Sequence, residues 1–237
     1  MFLEEKGHNP GGVHAAFRTL KAFLNWWESE YEPEGWKNPI RKVKPPRLSL
    51  EPLEPANLED IGKMLDTCIT NFHGARDKAI LLALLDTGAR AFELCSMKLQ
   101  DFDQFTGEIL IRQGKGRKPR TVYLGNKSRK ALRKYLRLRQ DNSPALWVSQ
   151  NGESISYWGL NEIVERRARK AGVHKPEIHA FRRTFALECL RAGVDVFSLQ
   201  KLMGHADLQV LRRYLAQTTE DIAQAHRIGS PVDNHKL

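Results

Sequence analysis

The 237-residue chain lacks the marks of several large protein classes. No stretch approaches the roughly 20 apolar residues that a bilayer-spanning helix needs, so no membrane partner is expected. The opening residues, MFLEEKGHNPGG, hold no basic segment followed by an apolar one, and no secretory leader is expected there. Its three cysteines, Cys68, Cys95 and Cys189, are isolated and odd in number. They form no CxxC pair, which argues against a disulfide framework and a zinc finger and points to a reducing, cytoplasmic compartment. P-loop, HExxH and acidic metal-cluster patterns are missing too, so neither a nucleotide nor a metal site is expected. The sharpest absence is local: from Arg112 to Arg139, 28 residues pass without one carboxylate.

That same stretch holds twelve Lys and Arg. Across the chain 38 basic residues face 28 acidic ones, a net charge of +10, and 41% of residues are hydrophobic. The composition is that of a globular protein, neither disordered nor membrane-embedded. The charge is unevenly placed: residues 1–66 sum to −2 and residues 67–237 to +12. A mixed-sign run reads as a solvated helix face. A long run of one sign repels itself and points to a polyanionic partner, of which nucleic acid is the commonest.

Residues 13–29 carry apolar side chains at helical spacing, and Tyr31–Pro55 is a proline-rich linker. Two domains are expected, 1–46 and 47–237. One helix with a short lead-in cannot bury a core alone. Beyond the linker, an amphipathic helix opens after Pro55 or Asn57, and a buried one ends at Gly88. Residues 101–112 form two short runs joined at Thr106-Gly107, and Arg120–Leu124 adds a third strand. Helices are expected at 126–139, 157–171, 179–192, 195–203, 207–217 and 219–227, with a strand-like insert at 145–149. The class is α+β, mainly α, with a small three-stranded antiparallel sheet.

Four short motifs lie in the basic part. Thr87-Gly88-Ala89-Arg90 places an arginine just past a helix-ending glycine, with Glu93 three residues on, where the two can pair. Gln113-Gly114-Lys115-Gly116 sets a lysine between glycines that let backbone approach a phosphate closely. His179 and Arg182 stand at i and i+3, on one helix face. Leu202-Met203-Gly204-His205 is followed nine residues later by Tyr214. Taken singly, each also fits an ordinary surface pair, turn or packing role.

As an ordered set, Arg90, Lys115, His179, Arg182, His205 and Tyr214 resemble the active-site hexad of the tyrosine recombinase (phage integrase) family. The likeness covers residues 55–228. Residues 14–46 are similar to the last helix and linker of that family's core-binding domain, a short remnant of it. The resemblance implies a site-specific recombinase that cleaves DNA without metal or cofactor. Tyr214 would attack to give a 3′-phosphotyrosyl link, and Arg90, Arg182 and His205 would neutralise the phosphate. Lys115 would protonate the leaving 5′ oxygen, His179 would assist proton movement, and Glu93 would orient Arg90. Lys115, Arg117, Lys118, Arg120 and Arg183 are the expected DNA contacts. The expected partner is duplex DNA bearing an inverted-repeat site. The expected assembly is a homotetramer on DNA and a monomer or weak dimer when free. A type IB-like topoisomerase and a non-catalytic DNA-binding relative are the alternatives.

Overall fold

The computed structural model describes residues 6–8, 10–31, 34–46, 54–112, 119–204, 223 and 226–234. The chain divides into two compact units, Met1–Glu51 and Pro52–Leu237. In the first, helix α1 runs Pro10–Tyr31, and a single 3-10 turn follows at Pro39–Lys42. Asn38 joins the two. Its Oδ1 accepts from the Ile40 N–H at 3.1 Å, while its Nδ2 donates to Asn25 Oδ1 at 3.1 Å and Glu28 Oε2 at 2.9 Å. Trp27 meets the edge of Trp36 at 4.6 Å between ring centres.

The second unit is mainly helical with one small antiparallel sheet. Helix α2 (Leu58–Asp66) starts where Asn57 Oδ1 accepts from the N–H groups of Glu59 and Asp60. Helix α3 (Phe72–Thr87) is capped by Asn71 and ends at Gly88, in the left-handed region at φ 55°. Helix α3 is the core. Ala79, Ile80, Leu81, Ala83 and Leu84 are all buried, and such a helix needs neighbours on several sides. A short helix α4 (Ala91–Cys95) follows, then strands β1 (Glu108–Ile111) and β2 (Arg120–Tyr123). Among the described residues, helices α5 (Asn126–Arg137), α6 (Tyr157–Ala171), α7 (Ile178–Arg191) and α8 (Val196–Met203) follow, with a last turn, α9, at Pro231–Asn234. Helix α3 packs against α5 and α7, and α2 against α6.

Among the described residues the sheet has two strands, not the expected three. Glu108 faces Tyr123 and Ile111 faces Arg120 in antiparallel register. Phe102 makes only an isolated bridge to Ile109. The residues between are drawn into a turn instead. Asp103 Oδ1 accepts from Phe105 N at 2.7 Å and Thr106 N at 3.1 Å, and Gly107 closes the turn at φ 84°. The insert at 145–149 likewise forms isolated bridges, Lys98 to Ala145 and Val148 to Ser154. The expected helix at 207–217, and most of the one at 219–227, lie outside the described residues.

A carboxylate without solvent exposure locks three helices together. Asp77 receives Arg76 at 3.0 Å, Arg166 at 2.9 Å and Arg167 at 2.7 Å. Arg167 also donates to Thr67 O at the end of α2, and Arg76 to Val148 O. Removing one member leaves buried charge uncompensated. Asp77→Asn is therefore expected to lower unfolding free energy by about 3 kcal/mol or more in urea titration. A loss under about 1 kcal/mol would place the cost of the network elsewhere.

Candidate active site

The arginine after Gly88 is placed by the end of the core helix. Gly88 sits so close to α7 that an added Cβ would lie 2.3 Å from Phe185 Cδ1, and its φ is positive as well. Only glycine meets both demands. Two residues on, Arg90 is the N-cap of α4. Its backbone N–H donates to Glu93 Oε2 at 2.8 Å and its Nη1 to Glu93 Oε1 at 2.9 Å. The expected pairing of these two residues is therefore present.

Glu93 also holds a second arginine. Arg120, the first residue of β2, donates Nη1 to Glu93 Oε1 at 2.9 Å and Nη2 to Oε2 at 2.8 Å, a two-pronged pair. Its Nε donates to Leu202 O at 3.0 Å, near the end of α8. Gly204 makes room: a Cβ there would come within 2.8 Å of Arg120 Cδ. Burial pushes the Glu93 carboxyl up, but the Arg120 hydrogen bonds, the Arg90 N–H and both positive charges outweigh it and bring it to about 2.

Arg182 ties the same pieces from α7. It is 3% exposed, donates Nη1 to Gly88 O, and donates Nη2 to Met203 O at 2.7 Å. It thus joins the backbone before Arg90 to the backbone before Gly204-His205. His179, one turn earlier, is exposed. Desolvation, followed by the charges of Arg182, Arg183 and Arg90, lowers its pKa, with Glu177 opposing. The imidazole is thereby biased to its neutral form. Arg183 turns inward, donating Nε to Glu54 O at 2.7 Å and Nη2 to Glu177 Oε2 at 3.1 Å.

An open cleft of about 820 Å³ is lined by Arg90, Phe92, Glu93, Tyr157, Asn161 and His179, among others. Arg182 forms no part of its wall. Phe92 stacks on Tyr157, with ring centres 5.2 Å apart and planes 18° apart, giving the cleft an apolar side. Sequence reading singled out neither aromatic. The available signal was Tyr157-Trp158 opening a helix directly after the N-cap Ser156, where first-turn side chains project outward. Arg90, Glu93, His179, Arg182, Arg120 and Arg183 are thus gathered around one end of α7. Lys115, Arg117, Lys118, His205 and Tyr214 lie outside the described residues.

Residues 55–221 match the model of the phage integrase family. Tyrosine recombinase XerA of Pyrococcus furiosus is 30% identical over 236 residues, covering 98% of this chain and 79% of that protein. Tyrosine recombinase XerC of Thermodesulfovibrio yellowstonii is 34% identical over 241 residues, covering 96% of this chain and 78% of its own. The chain belongs to the phage integrase family of tyrosine recombinases. In fold it resembles the Tn1549 transposon integrase solved with a circular-intermediate DNA, at a TM-score of 0.76 and 21% identity, over 95% of this chain and 81% of that one.

The Glu93 carboxylate makes the site's stability depend on pH. Its folded pKa is depressed, so its contribution is complete above the unfolded value near 4.5 and is lost as pH falls toward about 2. Glu93 is only 12% exposed in its side chain, so solvent screens the interaction little. Glu93→Gln should lower stability at pH 7 by on the order of 3 kcal/mol. It should also flatten the fall in stability between pH 4.5 and 2, read by urea titration at each pH. A variant that follows the parent curve through that window would mean the arginines are held by other groups.

Proposed function

We propose that the chain is a site-specific recombinase that cleaves and rejoins duplex DNA through a 3′-phosphotyrosyl bond at Tyr214. The observation that supports this best is the gathering of Arg90, His179 and Arg182 at one end of α7. Gly88 O and Met203 O bind Arg182, and Glu93 binds Arg90. Breaking a phosphodiester without metal needs a nucleophile, cationic donors for the non-bridging oxygens, and an acid for the leaving oxygen. Arg90, which lines the cleft, would supply planar guanidinium donors that lysine could not match, and the buried Arg182, bonded to the two carbonyls, would act there through its charge. His205, next in sequence after Gly204, would add another donor.

The step balances simply. The Tyr214 oxygen forms a bond to phosphorus as the bond from phosphorus to the 5′ oxygen breaks. Lys115 gives its proton to that oxygen, and His179 assists removal of the tyrosine proton. A lowered imidazole pKa suits a proton acceptor at neutral pH. Rejoining reverses the sequence, so the bond energy is kept in the phosphotyrosine and no nucleotide is needed. Arg117 and Lys118 would contact the DNA backbone beside Lys115. Arg120 and Arg183, whose guanidiniums are engaged inside the protein, would serve the DNA face by holding the strand and helix that carry it. Residues 1–46 would be a partial core-binding segment and 47–237 the catalytic domain. The working form would be a homotetramer on paired inverted-repeat sites.

The deciding experiment is covalent capture on nicked duplexes recovered by selection from a randomised pool. The parent chain should become linked to DNA, and Tyr214→Phe should bind with nearly unchanged affinity but give no link. Linkage persisting in that variant would overturn the assignment. Lys115 has its own check. Lys115→Ala should cleave ordinary DNA poorly and recover much of the rate when the bridging 5′ oxygen is replaced by sulfur, which leaves without a proton. Failure of sulfur to rescue would make Lys115 a binding residue only.

A further inference from the structure

Helix α5 carries an exposed cationic row that the cleft does not use. Lys127, Lys130, Arg133, Lys134 and Arg137 are all exposed. At 3.6 residues per turn they fall within an arc of about 120°. The buried residues Ser128, Leu132 and Tyr135 lie on the opposite side of the helix. The row is held rigidly, because that buried side packs on the core helix α3. Among the described residues none of the five forms an ion pair; Lys134 donates to Thr70 Oγ1 at 3.3 Å. No acidic residue stands anywhere on α5 to relieve the repulsion. None of the five lines the cleft around Arg90 and His179.

Like charges at i, i+3 and i+4 destabilise a helix on their own, so such a row costs the free protein stability. It would return that cost on meeting a regular array of negative charge. From Lys127 to Arg137 the row extends about 15 Å, some four steps of 3.4 Å along one DNA strand. We propose that α5 is a second, sequence-independent DNA-binding surface, contacting the phosphate backbone of duplex outside the segment held at the cleft. The proposal rests on the functional reading above, since that reading supplies the duplex. It adds a requirement for flanking DNA that the cleavage site alone does not impose.

The test replaces Lys127, Lys130, Lys134 and Arg137 together by glutamine in the full chain. Affinity is measured from 50 to 200 mM salt on a short core duplex and on one extended on both sides. The parent should gain affinity on the extended duplex, and the variant should lose that gain. On the extended duplex the slope of log affinity against log salt should fall by about 3.6, which is about 0.9 for each of the four phosphate contacts removed. Covalent capture on the short duplex should be unchanged. The melting temperature should hold or rise as the repulsion is relieved, which separates loss of binding from loss of fold. A variant with the parent's slope and length dependence would overturn the proposal and leave the recombinase reading intact. A parent that never becomes linked to DNA would overturn that reading, and this one with it. Loss of heparin retention with the duplex slope preserved would assign the row to another polyanion and overturn the DNA assignment.

Discussion

Four arginines gathered at one end of a helix, Arg90, Arg120, Arg182 and Arg183, repel each other, and their positions depend on what opposes that repulsion. Glu93 is one answer. It takes Arg90 on one side and a two-pronged bond from Arg120 on the other, at 2.8 to 2.9 Å. The second answer is made of backbone. Helices α3 and α8 both end at this place, and carbonyls at helix C-termini carry partial negative charge. Gly88 O and Met203 O take Arg182, and Leu202 O takes Arg120. Two helix ends and one carboxylate thus fix cations whose own charges would scatter them. Because carbonyl dipoles supply part of the compensation, the formal charge of the cluster stays positive, as an anionic substrate requires.

Much of this fold was legible because its helices are punctuated by residues with one clear local role. Asn57, Asn71, Ser156 and Asp195 each accept from the N–H groups of a first turn. Gly88, Gly172 and Gly204 end their helices in the left-handed region. The first of the two runs expected in 101–112 forms no strand, because Asp103, between Phe102 and Phe105, bonds backbone N–H groups two and three residues on and draws the segment into a turn. That competition is local, but its winner depends on which hydrogen bonds the hairpin leaves available.

The site was legible in its short-range half only. Arg90 and Glu93 stand three residues apart, and helical spacing alone suggests their pairing. The link from Glu93 to Arg120 spans 27 residues and exists because β2 brings its first residue beside α4. No spacing rule encodes that. Arg183 is expected from sequence as a DNA contact beside Arg182, yet its Nε donates to the carbonyl of Glu54, 129 residues away. A backbone carbonyl has no sequence signature, so partners of that kind emerge only from the fold. The apolar wall of Phe92 and Tyr157 was missed for a related reason: each is unremarkable until the packing of α4 on α6 stacks them.

These internal uses change how the net charge should be read. Arg76, Arg167, Arg182 and Arg183 are buried, and each bonds a backbone carbonyl of the protein itself. Arg120 and Arg139 are similarly engaged, with side chains only 12% and 5% exposed. A guanidinium suits this work because its stem can be buried while its planar donors reach two carbonyls at once. Such arginines raise the formal charge without presenting it to a partner. Lysine, a strongly hydrated point charge, seldom serves that way. The cations that do face solvent are therefore fewer than the composition implies and more concentrated, and α5 shows five of them on one side. A long-range field comes chiefly from charges that the protein has not already neutralised at short range. By that criterion α5 contributes more to the field that draws a polyanion than the buried arginines around Asp77 and Glu93, whose task is to keep helix ends in place.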